Sequence, residues 1–282
     1  YQIGFTKGLL NHISRDEIAT VSGASGGMFT AYALSADKLD LLERLYRKVD
    51  ISKKSELFWQ MFAKNLLSKY LNALLSPADE LEIPVIFPVC YIPLITRYYW
   101  VHGQYNRIWK KYMNAATTYP FLRLVPSFIN GKMAIDGGAV DCIPLYPLLK
   151  RETPFGEVEE PDVIIVLHFD AQYDYRKTFK TDIPVLDLDV SYCNDFAKAH
   201  YDFSGEVIKE RLQKSYEYGD SIGKKLFSED LTKEQMQAAV NGIFMEEHAA
   251  RQQQFSIERL VTILNVISKS FRRDTNCMKK LF

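Results

Sequence analysis

Small residues crowd around one serine near the start of the chain. Gly23-Ala24-Ser25-Gly26-Gly27 has the GxSxG form of a nucleophile elbow, in which a strand turns so sharply into a helix that the serine hydroxyl projects at the turn. Upstream, Glu17 to Ser22 reads as a short strand with Ile18 and Val21 as its apolar residues. Downstream, Met28, Tyr32, Leu39, Leu42, Tyr46 and Val49 recur at helical spacing and predict one long helix. Glycines and serines also cluster in ordinary turns, so the flanking strand and helix patterns are what favour a catalytic Ser25. Gly23 and Gly27 would form the elbow, and the Gly26 N–H would be one oxyanion donor.

A second short motif supplies a partner. Asn130-Gly131 sits between two apolar runs as a two-residue hairpin turn does. The strand from Lys132 to Ile135 then delivers Asp136 at its end, followed by Gly137 and Gly138, which let the backbone pass close to a neighbouring loop. Read by itself, Asp136-Gly137-Gly138 is only a turn.

Together the two motifs resemble the patatin-like phospholipase family, which works with a serine and aspartate dyad. The opening Tyr1-Gln2-Ile3-Gly4 resembles the start of the family's first helix, and Pro144 stands where relatives carry a proline after the aspartate motif. The match covers residues 1 to about 50 and about 120 to 230. Where many relatives have an asparagine before the proline segment, this chain has Cys142. The family's glycine-rich loop, which supplies the remaining oxyanion donors, is expected upstream of Tyr1, so the chain is read as N-terminally incomplete.

The resemblance implies a single α/β domain over residues 1–282. Its fold would be a patatin-like three-layer arrangement with a mostly parallel central sheet, helices on both faces, a variable insertion or lid over about 52–118 and C-terminal helices over about 204–282. It implies Ser25 as nucleophile, Asp136 as base, and hydrolysis of acyl esters in phospholipids or lysophospholipids with no metal and no cofactor. Several bacterial relatives are injected effectors that stay inactive until they meet a host factor. Peripheral membrane contact, a protein activator and secretion are therefore expectations alongside a cytoplasmic location.

Composition is compatible with this. Lys plus Arg and Asp plus Glu both number 35, so no global basic field favours nucleic acid. Lys53-Lys54 and Lys110-Lys111 read as solvated surface. Cys90, Cys142, Cys193 and Cys277 lack metal-ligand spacing and read as reduced intracellular thiols. His12, His102 and His248 are too isolated for a metal site.

Along the chain, residues 52 to 76 carry a helical pattern through Leu57, Met61, Leu66, Tyr70 and Leu74. Ile83 to Ile95 is almost wholly apolar, but Pro84, Pro88 and Pro93 and its short length rule out a membrane span, which needs about 20 residues. It reads as a buried connection or as an apolar lid rimmed by Tyr98, Tyr99 and Trp100. Val163 to Leu167 and Ile183 to Val190 read as strands. Helices are expected from Ser204 with Ile208, Leu212, Ile222 and Leu226 facing inward, from the capping box Thr232 to Gln235, and from Ser256.

Serine attacks an ester only as a base takes its proton. An aspartate with an ordinary pKa of about 3.9 is a weak base, so Asp136 would need partial burial to gain basicity. One enzyme alternative is a Ser-Asp-His triad using His168 or His200, which follow Asp136 in the chain. A second alternative, from another class, is a non-catalytic binding or regulatory module on the same fold.

Overall fold

The structure, a computed structural model, describes residues 1–49, 51, 66–118, 127–149, 152–157, 160–169, 180–190 and 203–250. The positions of Leu57 and Met61, His200, Cys193, Cys277 and the helix expected from Ser256 lie outside the described residues.

The apolar run turns out to be the middle of the sheet. Residues Glu80–Tyr91 form one long strand, β2, in which Val85, Ile86, Phe87, Val89 and Cys90 are fully buried. It returns through a tight hairpin as β3 (Ile95–Gln104), pairing from Tyr91 with Ile95 back to Glu80 with Gln104. On the opposite edge of β2 lie two shorter strands. β1 (Val21–Ser22) pairs in parallel with Val85 and Ile86. β5 (Lys132–Asp136) pairs antiparallel with Val89 to Tyr91 and carries β4 (Ser127–Ile129) on its outer side. The resulting five-stranded sheet is mixed.

Two expectations are corrected here. Among the described residues the main sheet is not mostly parallel: only β1–β2 is, while β2–β3, β2–β5 and β4–β5 run antiparallel. A continuous apolar run suggests a parallel strand covered by helices, but β2 earns its burial from a central position and turns back through a hairpin, which only antiparallel strands permit. The second concerns residues 80–104, inside the stretch read as an insertion or lid: they form the paired strands β2 and β3 at the centre and edge of this sheet. Pro84 falls where the β2–β3 register shifts between Leu81 and Val85, a bulge that tolerates its missing donor.

Short strands Glu152–Thr153 (β6) and Gly156–Glu157 (β7) form a small hairpin, and Ile164–His168 (β8) pairs in parallel with Val185–Asp189 (β9). Asn130 and Gly131 both take positive φ, as the tight β4–β5 turn requires. The expected Glu17–Ser22 strand shrinks to β1. Arg15–Glu17 is a 3-10 turn instead, held by reciprocal Ser14 and Glu17 capping bonds.

Helix α1 spans Gln2–Leu9. The single long helix expected after the elbow is two, α2 (Gly26–Ser35) and α3 (Leu39–Arg47), divided where Asp37 adopts a φ of 54°. They are followed by α4 (Leu66–Leu74), α5 (Arg107–Ala116) and α6 (Gly205–Phe227), and residues 233–250 are helical as α7. Thr232 and Gln235 cap α7 reciprocally, and Ile208, Leu212, Ile222 and Leu226 face inward along α6, as their spacing requires.

The largest core cluster joins Met28 and Tyr32 of α2 and Trp109 and Met113 of α5 to Val85, Phe87 and Val89 of β2. Each fully buried side chain of this size contributes about 1.5–3 kcal/mol. Tyr32 reaches from α2 to Asp79, just before β2, where the buried carboxylate also accepts from Ser76 N–H and pairs with Lys38. Helices α1 and α6 touch backbone to backbone. A Cβ at Gly219 would sit 2.0 Å from the Phe5 carbonyl oxygen, and one at Gly8 2.1 Å from that of Tyr216. Among the described residues, no helix is long and apolar enough to cross a membrane.

Candidate active site

Strands β1 and β5 lie on the same edge of β2 and approach each other end to end. The chain of β1 leaves the sheet where Gly23 N–H donates to Ile86 O at 3.0 Å, and β5 ends with Asp136 opposite Val89. Ile86 O accepts at this edge and Ile92 N–H donates across it to Met133 O. By strand alternation the backbone polar groups of Pro88 also face it, in the gap between the two strand ends. Proline is suited to that position, because no neighbouring strand there needs an N–H.

The elbow fills one side of the gap. Ser25 has φ 51° and ψ −118°, a conformation rare for any residue with a side chain, and it stands immediately before α2. Gly27 N–H donates to Ala24 O and Met28 N–H to Ser25 O, closing the first turn of the helix. Gly23 has to be glycine, since a Cβ there would lie 2.4 Å from the Gly27 carbonyl carbon. Gly26 differs: it is exposed, a Cβ would meet nothing within 4 Å, and among the described residues its N–H has no partner.

The aspartate fills the other side. Asp136 is only 1 % exposed, its N–H donates to Thr118 O, and its Oδ1 accepts from Gly138 N–H at 2.8 Å. Gly137 packs on β2 so closely that a Cβ would come within 2.3 Å of Pro88 O. At Gly138 a Cβ would lie 3.2 Å from Asp136 Oδ1 and 3.8 Å from Ser25 Cβ, so both side chains flank one point. Burial pushes the Asp136 carboxyl above the usual carboxylate range, opposed by hydrogen bonding from the Ser25 side chain and the Gly138 N–H. The result is a carboxylate of raised basicity held against a serine hydroxyl.

The residues singled out in the sequence, Ser25, Asp136, Gly23, Gly26, Gly27, Gly137 and Gly138, thus meet in one place. Pro144 belongs with them, since its carbonyl accepts from Ser22 Oγ at 2.7 Å and ties the aspartate segment to β1. Two contributors had no sequence signal, Thr118, which anchors Asp136, and Pro88, which receives Gly137; Gln2, from the opening motif, has its side chain 3.4 Å from the Cβ position of Gly27. Of the two histidines of the triad alternative, His200 lies outside the described residues and His168 is placed. His168, buried on β8, binds Asp187 Oδ1 through Nε2 at 2.7 Å, and His12 and His102 are engaged by Asp220 and by Glu82 O. Cys90 is buried and Cys142 exposed. Among the described residues no group of three or more His, Cys, Asp or Glu side chains is placed to hold a metal ion.

Comparison of the sequence with protein-family models and with curated proteins returned no match.

Proposed function

We propose that this chain is a serine acyl hydrolase of the patatin-like type, cleaving carboxylic esters of phospholipids or lysophospholipids through a Ser25 acyl-enzyme with Asp136 as the base. The observation that carries the proposal is the meeting of a strained Ser25 and a buried Asp136 across the gap between β1 and β5. Asp136 takes the hydroxyl proton as Ser25 Oγ attacks the ester carbonyl, and the charge on the carbonyl oxygen develops toward the Gly26 N–H. The protonated carboxyl then delivers its proton to the departing alkoxide. Water attacks the acyl carbonyl as Asp136 takes its proton, and as the Oγ–acyl bond breaks Asp136 returns that proton to Ser25 Oγ, releasing the acid. Neither Ser25 nor Asp136 needs a histidine for this cycle, which accords with His168 being committed to Asp187.

A fluorophosphonate probe should label Ser25, identified by peptide mass spectrometry, and Ser25→Ala should abolish labelling and lower ester hydrolysis by roughly 10³-fold or more. An intact, folded protein that neither labels at Ser25 nor hydrolyses any acyl ester would instead favour a non-catalytic module.

A further inference from the structure

We propose that the tips of the β2–β3 and β4–β5 hairpins form a docking surface for anionic phospholipid membranes. Tyr91 pairs with Ala134 and Ile92 N–H donates to Met133 O, so Ile92 and Met133 are neighbours; Met133 in turn stands opposite Phe128. Side chains of directly opposed residues lie on the same face of a sheet. Ile92, Met133 and Phe128 therefore make one strip across three strands, continued at the turn by Leu94. All four are exposed, Leu94 to 67 % and Phe128 to 56 %.

Leu94 and Phe128 keep more than half of their surface in solvent, so burying them contributes little to the fold. Leu94 combines the largest exposure of the four with a φ of 48°, where glycine or asparagine costs less than a leucine. The charges around the strip point to its occupant. Between residues 89 and 97 and between 127 and 135 the charged side chains are Arg97 and Lys132, both exposed, and no carboxylate occurs in either stretch; Arg97, opposite Val89 and over the Tyr91 ring, and Lys132, next to Met133, lie on the reverse face of the same hairpin tips. Apolar side chains at a hairpin tip flanked by cations suit insertion at the boundary between headgroups and acyl chains of an anionic bilayer.

The position of the strip deepens the hydrolase proposal and rests on it for the use made of the contact. From Val89, opposite Asp136, to Ile92 is three residues of extended chain, about 10 Å. A tip seated in the interface would hold the dyad at the level of the lipid esters.

The test is flotation of the purified protein with vesicles of phosphatidylcholine, with and without phosphatidylserine. The wild type should float with the anionic vesicles, and Ile92→Asp with Leu94→Asp should lower its partition roughly tenfold or more while leaving the melting temperature unchanged, the sites being exposed. Arg97→Glu with Lys132→Glu should remove the preference for phosphatidylserine, as should high salt. Failure of the wild type to float, or flotation of the strip variants equal to wild type, overturns the proposal. So does a wild-type dimer dissociated by the same strip substitutions, because a second copy would then be the occupant. Fluorophosphonate labelling of Ser25 without lipid reports separately on the dyad, and its loss would leave the flotation result standing.

Discussion

Gly137 presses against Pro88 so tightly that a methyl group on it would lie 2.3 Å from the proline's carbonyl oxygen. This contact sets where β5 ends and therefore where Asp136 stands. Gly137→Ala should force the aspartate segment off β2, destabilising the fold by about 1–3 kcal/mol and lowering kcat roughly 10²-fold through misplacement of the base. Gly23→Ala should behave similarly, with its Cβ 2.4 Å from Gly27. Gly26→Ala, with open space around it, should melt as wild type does. Equal melting of all three variants would contradict the packing described.

Asp136→Asn should separate stability from activity. Burial raises the folded-state pKa of Asp136 above its ordinary 3.8, so between those two values the native protein binds more protons than the unfolded chain. Stability contributed by the protonated form is present at low pH and is lost as pH rises through the raised value. The asparagine variant, which carries no buried charge, should melt above wild type at neutral pH, with the advantage fading as pH falls toward 3.8. Hydrolysis by the wild type should show the opposite slope, rising with pH through the same window as Asp136 becomes a carboxylate. A melting advantage that stayed constant from acid to neutral pH would mean Asp136 is not the titrating group.

If Ser25 and Asp136 act as one unit, as the proposed function requires, Ser25→Ala combined with Asp136→Asn should be barely slower than either single variant. Additive losses, measured on a soluble ester, would argue that the two side chains do different jobs.

His168→Ala should cost stability and spare chemistry. Removing the imidazole leaves the partly buried Asp187 carboxylate without that partner, a loss of about 1–3 kcal/mol. Turnover of a soluble ester, assayed well below the melting temperature, should remain close to wild type. A loss as deep as that of Ser25→Ala would favour the triad alternative.

Gly219→Val tests the seating of α1. A side chain there meets the Phe5 backbone at 2.0 Å, so helices α1 and α6 must part. The expected cost is about 2–3 kcal/mol in denaturant unfolding. Gln2 at the start of α1 lies beside the elbow, 3.4 Å from the Cβ position of Gly27, so ester hydrolysis should fall together with stability.

Local chemistry made several pieces legible in the amino-acid sequence alone. Small residues around Ser25 announced an elbow, Asn130-Gly131 a tight hairpin, Thr232 and Gln235 a capped helix start, and the spacing of Ile208, Leu212, Ile222 and Leu226 the buried face of α6. Each of these depends on residues within a few positions of one another, where sterics and short hydrogen bonds decide the conformation. Where the pattern was ambiguous the sequence misled. An apolar run interrupted by prolines has no period, so Ile83 to Tyr91 showed nothing of its place at the centre of a mixed sheet, and Asp37 at positive φ broke a helix whose apolar spacing continued through it. The separation of Ser25 from Asp136 is a long-range property of another kind. It follows from β1 and β5 pairing with successive stretches of one edge of β2, and from Gly23 and Gly137 each closing on the backbone there, contacts that exist only once three segments distant in sequence share a sheet.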